Sequence, residues 1–289
     1  MIEKKYIINS DKIDKDIKIC LFADIHYSKI FKIKKFDLIK KSLINNKPDY
    51  ICIPGDLLDL KNIYDDKNKL DIFLSFFKDI SLIAPVYISL GNHDLNKSKG
   101  EFYKKWLNEL DKIDNINILY NSFIEVNNIR FIGFNPSLKY YFDKKKNRKD
   151  ENELVFIKEF NDNMTNYNND KLNILLCHSP VCIFNTNVID YVKSIKNMKL
   201  IVCGHMHNGL VFRFIDKIIK NNVGLIAPNK TLFPNNARGI KEVNIDGNDI
   251  SMVITGGITK IQESAPKILR FGDYLFSPQI DYIVIKKEY

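Results

Sequence analysis

No stretch of this 289-residue chain is rich in proline, glycine and serine together, and no internal repeat is present. A linker between independent domains finds no place, so one domain over residues 1–289 is expected. No run of about 18 apolar residues occurs, which excludes a hydrophobic membrane-spanning helix. The segment Met1–Ile19 is charged. It lacks the apolar core of about 7–15 residues that a secretory signal needs. Cysteine is sparse and odd in number: Cys20, Cys52, Cys177, Cys182 and Cys203. Four of them sit inside apolar runs, where a free thiol packs as a small hydrophobe, and no disulfide framework is visible. A soluble, cytoplasmic protein in a reducing compartment is the expectation. Histidine is scarce too, and none of it is left over for packing.

All five histidines lie in short motifs beside an acid, an amide or a turn glycine. They are Asp24-Ile25-His26, Gly91-Asn92-His93-Asp94, Cys177-His178-Ser179-Pro180 and Gly204-His205-Met206-His207-Asn208. A further motif, Gly55-Asp56-Leu57-Leu58-Asp59, has the same character without a histidine. Neutral imidazole combined with carboxylate suits divalent transition metals. Taken singly, each motif reads as a turn or a hydrogen-bonded loop. Their positions argue otherwise, because each follows a short apolar run: 17–23, 50–54, 86–90, 172–177 and 200–203. Such runs, β-branched and bounded by Gly, Asp or Asn, read as strands buried on both faces. All five motifs then fall at the C-terminal ends of strands, where the loops of layered α/β sheets converge on ligands. In an extended segment, residues i and i+2 point the same way, so Asp24/His26 and His205/His207 are each expected to aim two ligands into one space. Gly55, Gly91 and Gly204 fit sharp turns or close approaches.

The remaining layout is coarser. Strands are expected at 3–9 and 17–23, helices at 34–46, 67–80, 99–112, 151–166 and 188–196, and two or three short strands within 117–134. Past residue 209, strands and loops are expected to complete a second sheet. The formal charge is +9. Its lysines are interleaved with acids on helical faces, which reads as solvated surface. The segment 139–149 (KYYFDKKKNRK) mixes aromatics with six cations. It reads as a surface loop before the helix expected from about residue 150, with a phosphate-contacting lip as the second possibility. A nucleic-acid partner is possible but not favoured, because no long basic segment or capping domain is present. The oligomeric state is left open.

The ordered set Asp24-x-His26, Gly55-Asp56-x-x-Asp59, Gly91-Asn92-His93-Asp94, His178 and Gly204-His205-x-His207 resembles the calcineurin-like metallophosphoesterase family, with every block in order between positions 24 and 208. Within it, residues 204–211, 253–257, 265–271 and 278–284 loosely resemble bacterial phosphodiesterases of the YkuE/YaeI type. The family resemblance implies a four-layer α/β/β/α sandwich of two mixed sheets. It implies two divalent ions held by Asp24, His26 and His207 on one side and Asn92, His178 and His205 on the other, with Asp56 bridging. His93 would stand just beyond them as proton donor or phosphate contact, with Asp94 orienting its ring. The implied reaction is hydrolysis of a phosphomonoester or diester, small or lipid-derived, by a bridging hydroxide. A nuclease on the same centre and a non-catalytic scaffold are the alternatives. The mixed N/O ligand set suits Mn, Fe, Zn, Co or Ni, with Mn favoured, and argues against calcium. Tyr27, Met206 and Asn208 are expected on the substrate side.

Overall fold

The structure is a computed structural model, and it describes residues 1–59, 66–95, 101–136, 158, 161–162, 170–183, 193–212, 214–216, 218–219, 222–228, 231–261 and 275–288. The helices expected at 151–166 and 188–196 and the basic segment 139–149 lie wholly or largely outside these residues. Within the second of them, Lys193–Asn197 forms a 3-10 turn.

Twelve strands among the described residues form two mixed sheets of six. The first runs β1 (Ile2–Ser10), β12 (Gln279–Lys287), β2 (Ile17–Leu21), β3 (Tyr50–Pro54), β4 (Val86–Ser89), β5 (Ile116–Ile118). The second runs β10 (Gly239–Ile245), β11 (Asn248–Ile254), β9 (Leu200–Cys203), β8 (Leu172–Cys177), β7 (Ile129–Phe134), β6 (Phe123–Val126). Neighbours from β2 to β5 are parallel, as are β7, β8, β9 and β11. The central runs β3, β4, β8 and β9 are buried along their whole length. That is what parallel strands covered on both faces require, and it explains their unbroken apolar sequences.

Alternate residues of the strands then divide the core into layers. Ile19, Leu21, Cys52 and Tyr87 point between the sheets and meet Phe131, Ile174, Leu176 and Val202. The Tyr87 and Phe131 rings stack there, centroids 3.8 Å apart. Cys20, Phe22, Ile51, Ile53, Val86 and Ile88 point outward under the helices α1 (Lys34–Asn46), α2 (Lys67–Ser81) and α3 (Glu101–Asp111). Phe36, Ile39 and Leu43 of α1 and Phe73, Phe76, Phe77 and Ile80 of α2 recur at helical spacing and form the facing stripe. Asp66 caps α2 by accepting the Lys69 N–H, and α1 closes on Lys47 in the left-handed region. The outer face of the second sheet carries Leu175, Cys177, Ile201, Cys203, Ile250 and Met252. A short helical turn, Pro180–Ile183, and the turn containing Ile195 cover it. Layers of helix, sheet, sheet and helical turns result, which is the expected sandwich. All five cysteines are free and buried, consistent with their reading as packing residues. No described helix is long and apolar enough to cross a membrane.

One expectation needs correction. The tail completes not only the second sheet. β10 and β11 join it, but β12 returns to the first, parallel to β1 and antiparallel to β2. A strand's own residues set its faces; its pairing partner is chosen by distant register. The cross-sheet ring stack should carry much of the packing between layers. Phe131→Ala should cost about 3–5 kcal/mol, read as a lowered midpoint in urea or thermal unfolding.

Candidate metal centre

The five motifs meet at one end of the two sheets. The loop after β2 runs beside the loop after β3: Asp24 N–H donates to Gly55 O, His26 N–H to Asp56 O and Tyr27 N–H to Leu57 O. Gly204 N–H donates to His178 O, and His205 N–H reaches both Asp24 carboxylate oxygens at 3.1 and 3.0 Å. The ligand pairs do converge, but not by strand pleat as the i/i+2 argument assumed. Asp24 (φ 54°), His26 (φ 48°), Asp56 (φ 55°), His205 (φ 68°) and His207 (φ 48°) all occupy the left-handed region. That conformation costs about 1–2 kcal/mol for a residue with a side chain and clusters at functional sites.

Three groups among the described residues each bring their donor atoms within 4.8 Å of one another: Asp24, His26 and His207; Asp56, His178 and His205; and His26, Asp59 and His93. The first two groups bring together six of the seven residues that the family resemblance implies as ligands. The imidazoles are turned by their far nitrogens. His178 Nδ1 lies 2.6 Å from Pro54 O, His207 Nδ1 2.7 Å from Thr259 O and His26 Nδ1 3.0 Å from Asp59 Oδ2. An acceptor on Nδ1 fixes the tautomer that leaves the Nε2 lone pair for a metal. The three Nε2 atoms stand 3.1–3.9 Å from oxygens of Asp24 and Asp56. Donors bonded at about 2 Å to one ion have separations of this order. Asp56 Oδ2 lies 3.6 Å from His26 and 3.1 Å from His178, so it sits between the sets. Asn92 is buried, and its Oδ1 has no hydrogen-bond partner among the described residues. A buried amide oxygen without a partner is a group that a metal ion would satisfy. The residues fit two divalent ions.

His93 lies at the margin, its side chain 27% exposed and its ring edge-on to His26. The expectation that Asp94 orients it is corrected by the geometry. Asp59 Oδ1 stands 2.6 Å from His93 Nδ1. The buried Asp94 carboxylate instead accepts the backbone N–H groups of Asp56 (2.7 Å), Leu57 (3.1 Å) and Gly91 (3.0 Å). It clamps two ligand loops together. Asp59 was visible as the second acid of Gly-Asp-x-x-Asp, but sequence adjacency favoured Asp94. The carbonyls of Pro54 and Thr259 carried no signal. Tyr27 and Met206 are not on a substrate side: Tyr27 packs on Phe36 and Phe73, and Met206 joins the outer core of the second sheet. Asn208 is buried with its amide donating to Asp216.

Burial and charge compete throughout. For His26 burial opposes the imidazolium, but Asp59, Asp56 and Asp24 outweigh it and raise the pKa to about 9. His178 is raised to about 10 against burial by Asp56 and Asp24. Burial, with cationic neighbours, pushes His205 and His207 down to about 3. Burial pushes Asp24 up, while Asp56 is held low despite its burial by His178, His93 and His26.

The calcineurin-like phosphoesterase profile matches residues 17–209, and the chain belongs to that family. All nine residues assigned to the centre fall inside this match. The chain is 26% identical over 214 residues to an uncharacterized metallophosphoesterase of Helicobacter pylori, covering 73% of this chain and 50% of that protein. It is 27% identical over 212 residues to one of Campylobacter jejuni, with the same coverage. The chain thus spans about half the length of the curated relatives it matches. Among solved structures it is similar to a dimetal phosphatase from Danio rerio, with a TM-score of 0.45 and 12% identity over 84% of this chain and 88% of that one.

Two outcomes follow from the geometry. A Cβ on Gly91 would stand 2.1 Å from Asp56 Oδ1. Gly91→Ala must therefore displace that carboxylate, and bound manganese per chain, counted by elemental analysis, should fall below two. At pH 7 the metal-free centre holds protons on His26 and His178, since both pKa values lie above 7. Metal loading should release about two protons per chain, and affinity should weaken as pH falls. Calorimetry in buffers of different ionisation enthalpy reads that number; release of none would mean that both rings are already neutral.

Proposed function

We infer that the chain is a metal-dependent phosphoester hydrolase, a phosphomonoesterase or phosphodiesterase acting on a small or lipid-derived substrate. The observation that carries this reading is the pair of donor sets, Asp24/His26/His207 and Asp56/His178/His205, each with its atoms within 4.8 Å of one another and with Asp56 reaching His26 and His178 alike. One domain spanning 1–289 is part of the proposal, supported by β1 and β12 pairing in one sheet from opposite ends of the chain. Asp24, His26 and His207 would hold one divalent ion, and Asn92, His178 and His205 the other, with Asp56 shared. Manganese is the favoured ion. Two such ions acidify a shared water and offset phosphate charge.

The chain's own residues supply the rest. Asp59 accepts from His93 Nδ1–H and so points Nε2 away from the carboxylate. At the exposed margin, the imidazolium form of His93 would give its Nε2 proton to the departing oxygen of the substrate and be left as neutral imidazole. Asp59 is thus a positioning residue and His93 the catalytic one. Asp94 acts earlier, by holding the loops of Asp56 and Gly91 in contact.

The test is turnover of p-nitrophenyl phosphate and bis-p-nitrophenyl phosphate by EDTA-stripped protein with manganese restored. Manganese-dependent turnover is expected, and its ratio between the two substrates assigns monoester or diester preference. His93→Asn should lower kcat about 100-fold or more while two metals remain bound. Metal-loaded protein inactive on both substrates, or a fully active His93→Asn variant, would overturn the respective assignment.

A further inference from the structure

The two halves of the first donor set each lead directly into an exposed apolar segment. His26 is followed by Ser28–Lys35, whose sequence SKIFKIKK alternates cations with apolar residues and holds no acid. Ile30 (43%) and Ile33 (48%) are exposed there, together with Lys29, Lys32 and Lys34. His207 is followed by the excursion 212–237. In it, Phe214 (75%), Ile218 (81%), Leu232 (65%) and Phe233 (67%) stand in solvent. Solvent exposure of four large apolar side chains in one excursion is unusual for a chain with no use for them.

The excursion is not loosely attached. Gly209 O accepts the N–H groups of Leu225 and Ile226, and a Cβ on Gly209 would meet Gly224 Cα at 2.3 Å. The buried Arg238 donates to the carbonyls of Val223 and Ile219 and pairs with Asp216, which also accepts from Asn208. Exposure of the apolar tips is therefore built on a fixed base beside the ligands. Asp216 is the sole acid within 212–237, and its charge is met by Arg238 and Lys4. In sequence, the same stretch carries Arg213, Lys217, Lys220 and Lys230.

We propose that these two segments dock the protein on an anionic lipid bilayer, with the metal centre turned toward the surface. Aliphatic side chains interleaved with lysines are the chemistry of interfacial binding: the apolar groups enter the boundary and the cations meet anionic headgroups. A second copy of this chain is a poor occupant, since it would bring the same cations face to face. Nucleic-acid binding draws on stacked aromatics along the strand; of the six exposed apolar side chains named, Phe214 and Phe233 are aromatic, while Ile30, Ile33, Ile218 and Leu232 are aliphatic and suit a bilayer. The two segments start from neighbouring residues of the centre. Both segments leave residues whose rings, His26 and His207, stack 5.2 Å apart.

The experiment is flotation of the full chain with vesicles of phosphatidylcholine alone, and of phosphatidylcholine with phosphatidylglycerol, at low and high salt. Binding is expected only to the anionic vesicles, and salt should weaken it. Ile30→Ser with Ile33→Ser, and separately Phe214→Ser with Ile218→Ser, should each lower the partition coefficient about tenfold. Melting temperature and bound manganese should stay unchanged. Should a serine pair fail to fold, Lys32→Glu with Lys34→Glu, at exposed positions, must still remove the salt-sensitive binding. No flotation of the unaltered chain, or equal flotation of the folded variants, would overturn the proposal. So would loss of a concentration-dependent dimer in light scattering with vesicle binding unaltered. Flotation is read without turnover, so an inactive protein that floats would sink the hydrolase reading alone.

Discussion

Two carboxylates, Asp24 and Asp56, lie fully inside the protein, and most of the local structure answers to that fact. Removing a carboxylate from water costs several kcal/mol even after relaxation. The cost is met by imidazoles on one side and by backbone N–H groups on the other: His205 donates to Asp24, and His93 to Asp56. Bringing those groups close enough demands left-handed turns at five of the seven expected ligands. It also demands glycines where a Cβ would strike a carboxylate, as Gly91 does against Asp56 and Gly257 against Asp24. These are unfavourable local choices that only a rigid surround sustains. The surround is two buried sheets whose central strands end together, with Asp94 tying the Asp56 and Gly91 loops across that end. A divalent cation is the one ligand class that turns the whole arrangement from a liability into an attraction.

That balance also explains what was readable in the sequence. The motifs were legible because histidine is rare here, five in 289 residues, and each motif follows a short apolar run that reads as a buried strand. The layered sandwich was implied by the family resemblance, and unbroken apolar runs such as 17–23 fitted strands covered on both faces; which residues of a run meet the other sheet was not legible. Nor was the conformation of the ligands. Asp24 and His26 look like neighbours on one face of a strand, yet the strand has ended before them, and a left-handed turn brings them together instead. Asp94 was misread for a related reason. Beside His93 in sequence, it points back into the protein, while Asp59, thirty-four positions away, reaches the ring. Loop geometry is set by long-range hydrogen bonds, and single-residue propensities do not encode those. The same limit hid the destination of β12, whose nine residues read as a strand but do not say which sheet has room for it.

The partners behind the imidazoles differ in kind. His178 and His207 rest on backbone carbonyls, Pro54 O and Thr259 O, which are neutral and fixed. His26 rests on Asp59, a full negative charge. A carboxylate on Nδ1 makes an imidazole more basic, and a better donor to metal, than a carbonyl does. His26 therefore differs from His178 and His207 in resting on a charge. Thr259 strengthens its grip on the Asp24, His26 and His207 group from the opposite side, since its N–H donates to Asp24 O and its hydroxyl to Ile25 O.

Asp59 then joins the two roles of the centre. Its Oδ2 faces His26 at 3.0 Å and its Oδ1 faces His93 at 2.6 Å, so one carboxylate serves both a ligand and the ring at the margin. The two rings share one anion, so the orientation of the ring at the margin and that of His26 are fixed together. Asp59 cannot turn to suit one ring without loosening its hold on the other, and that ties the exposed edge of the centre to its buried interior.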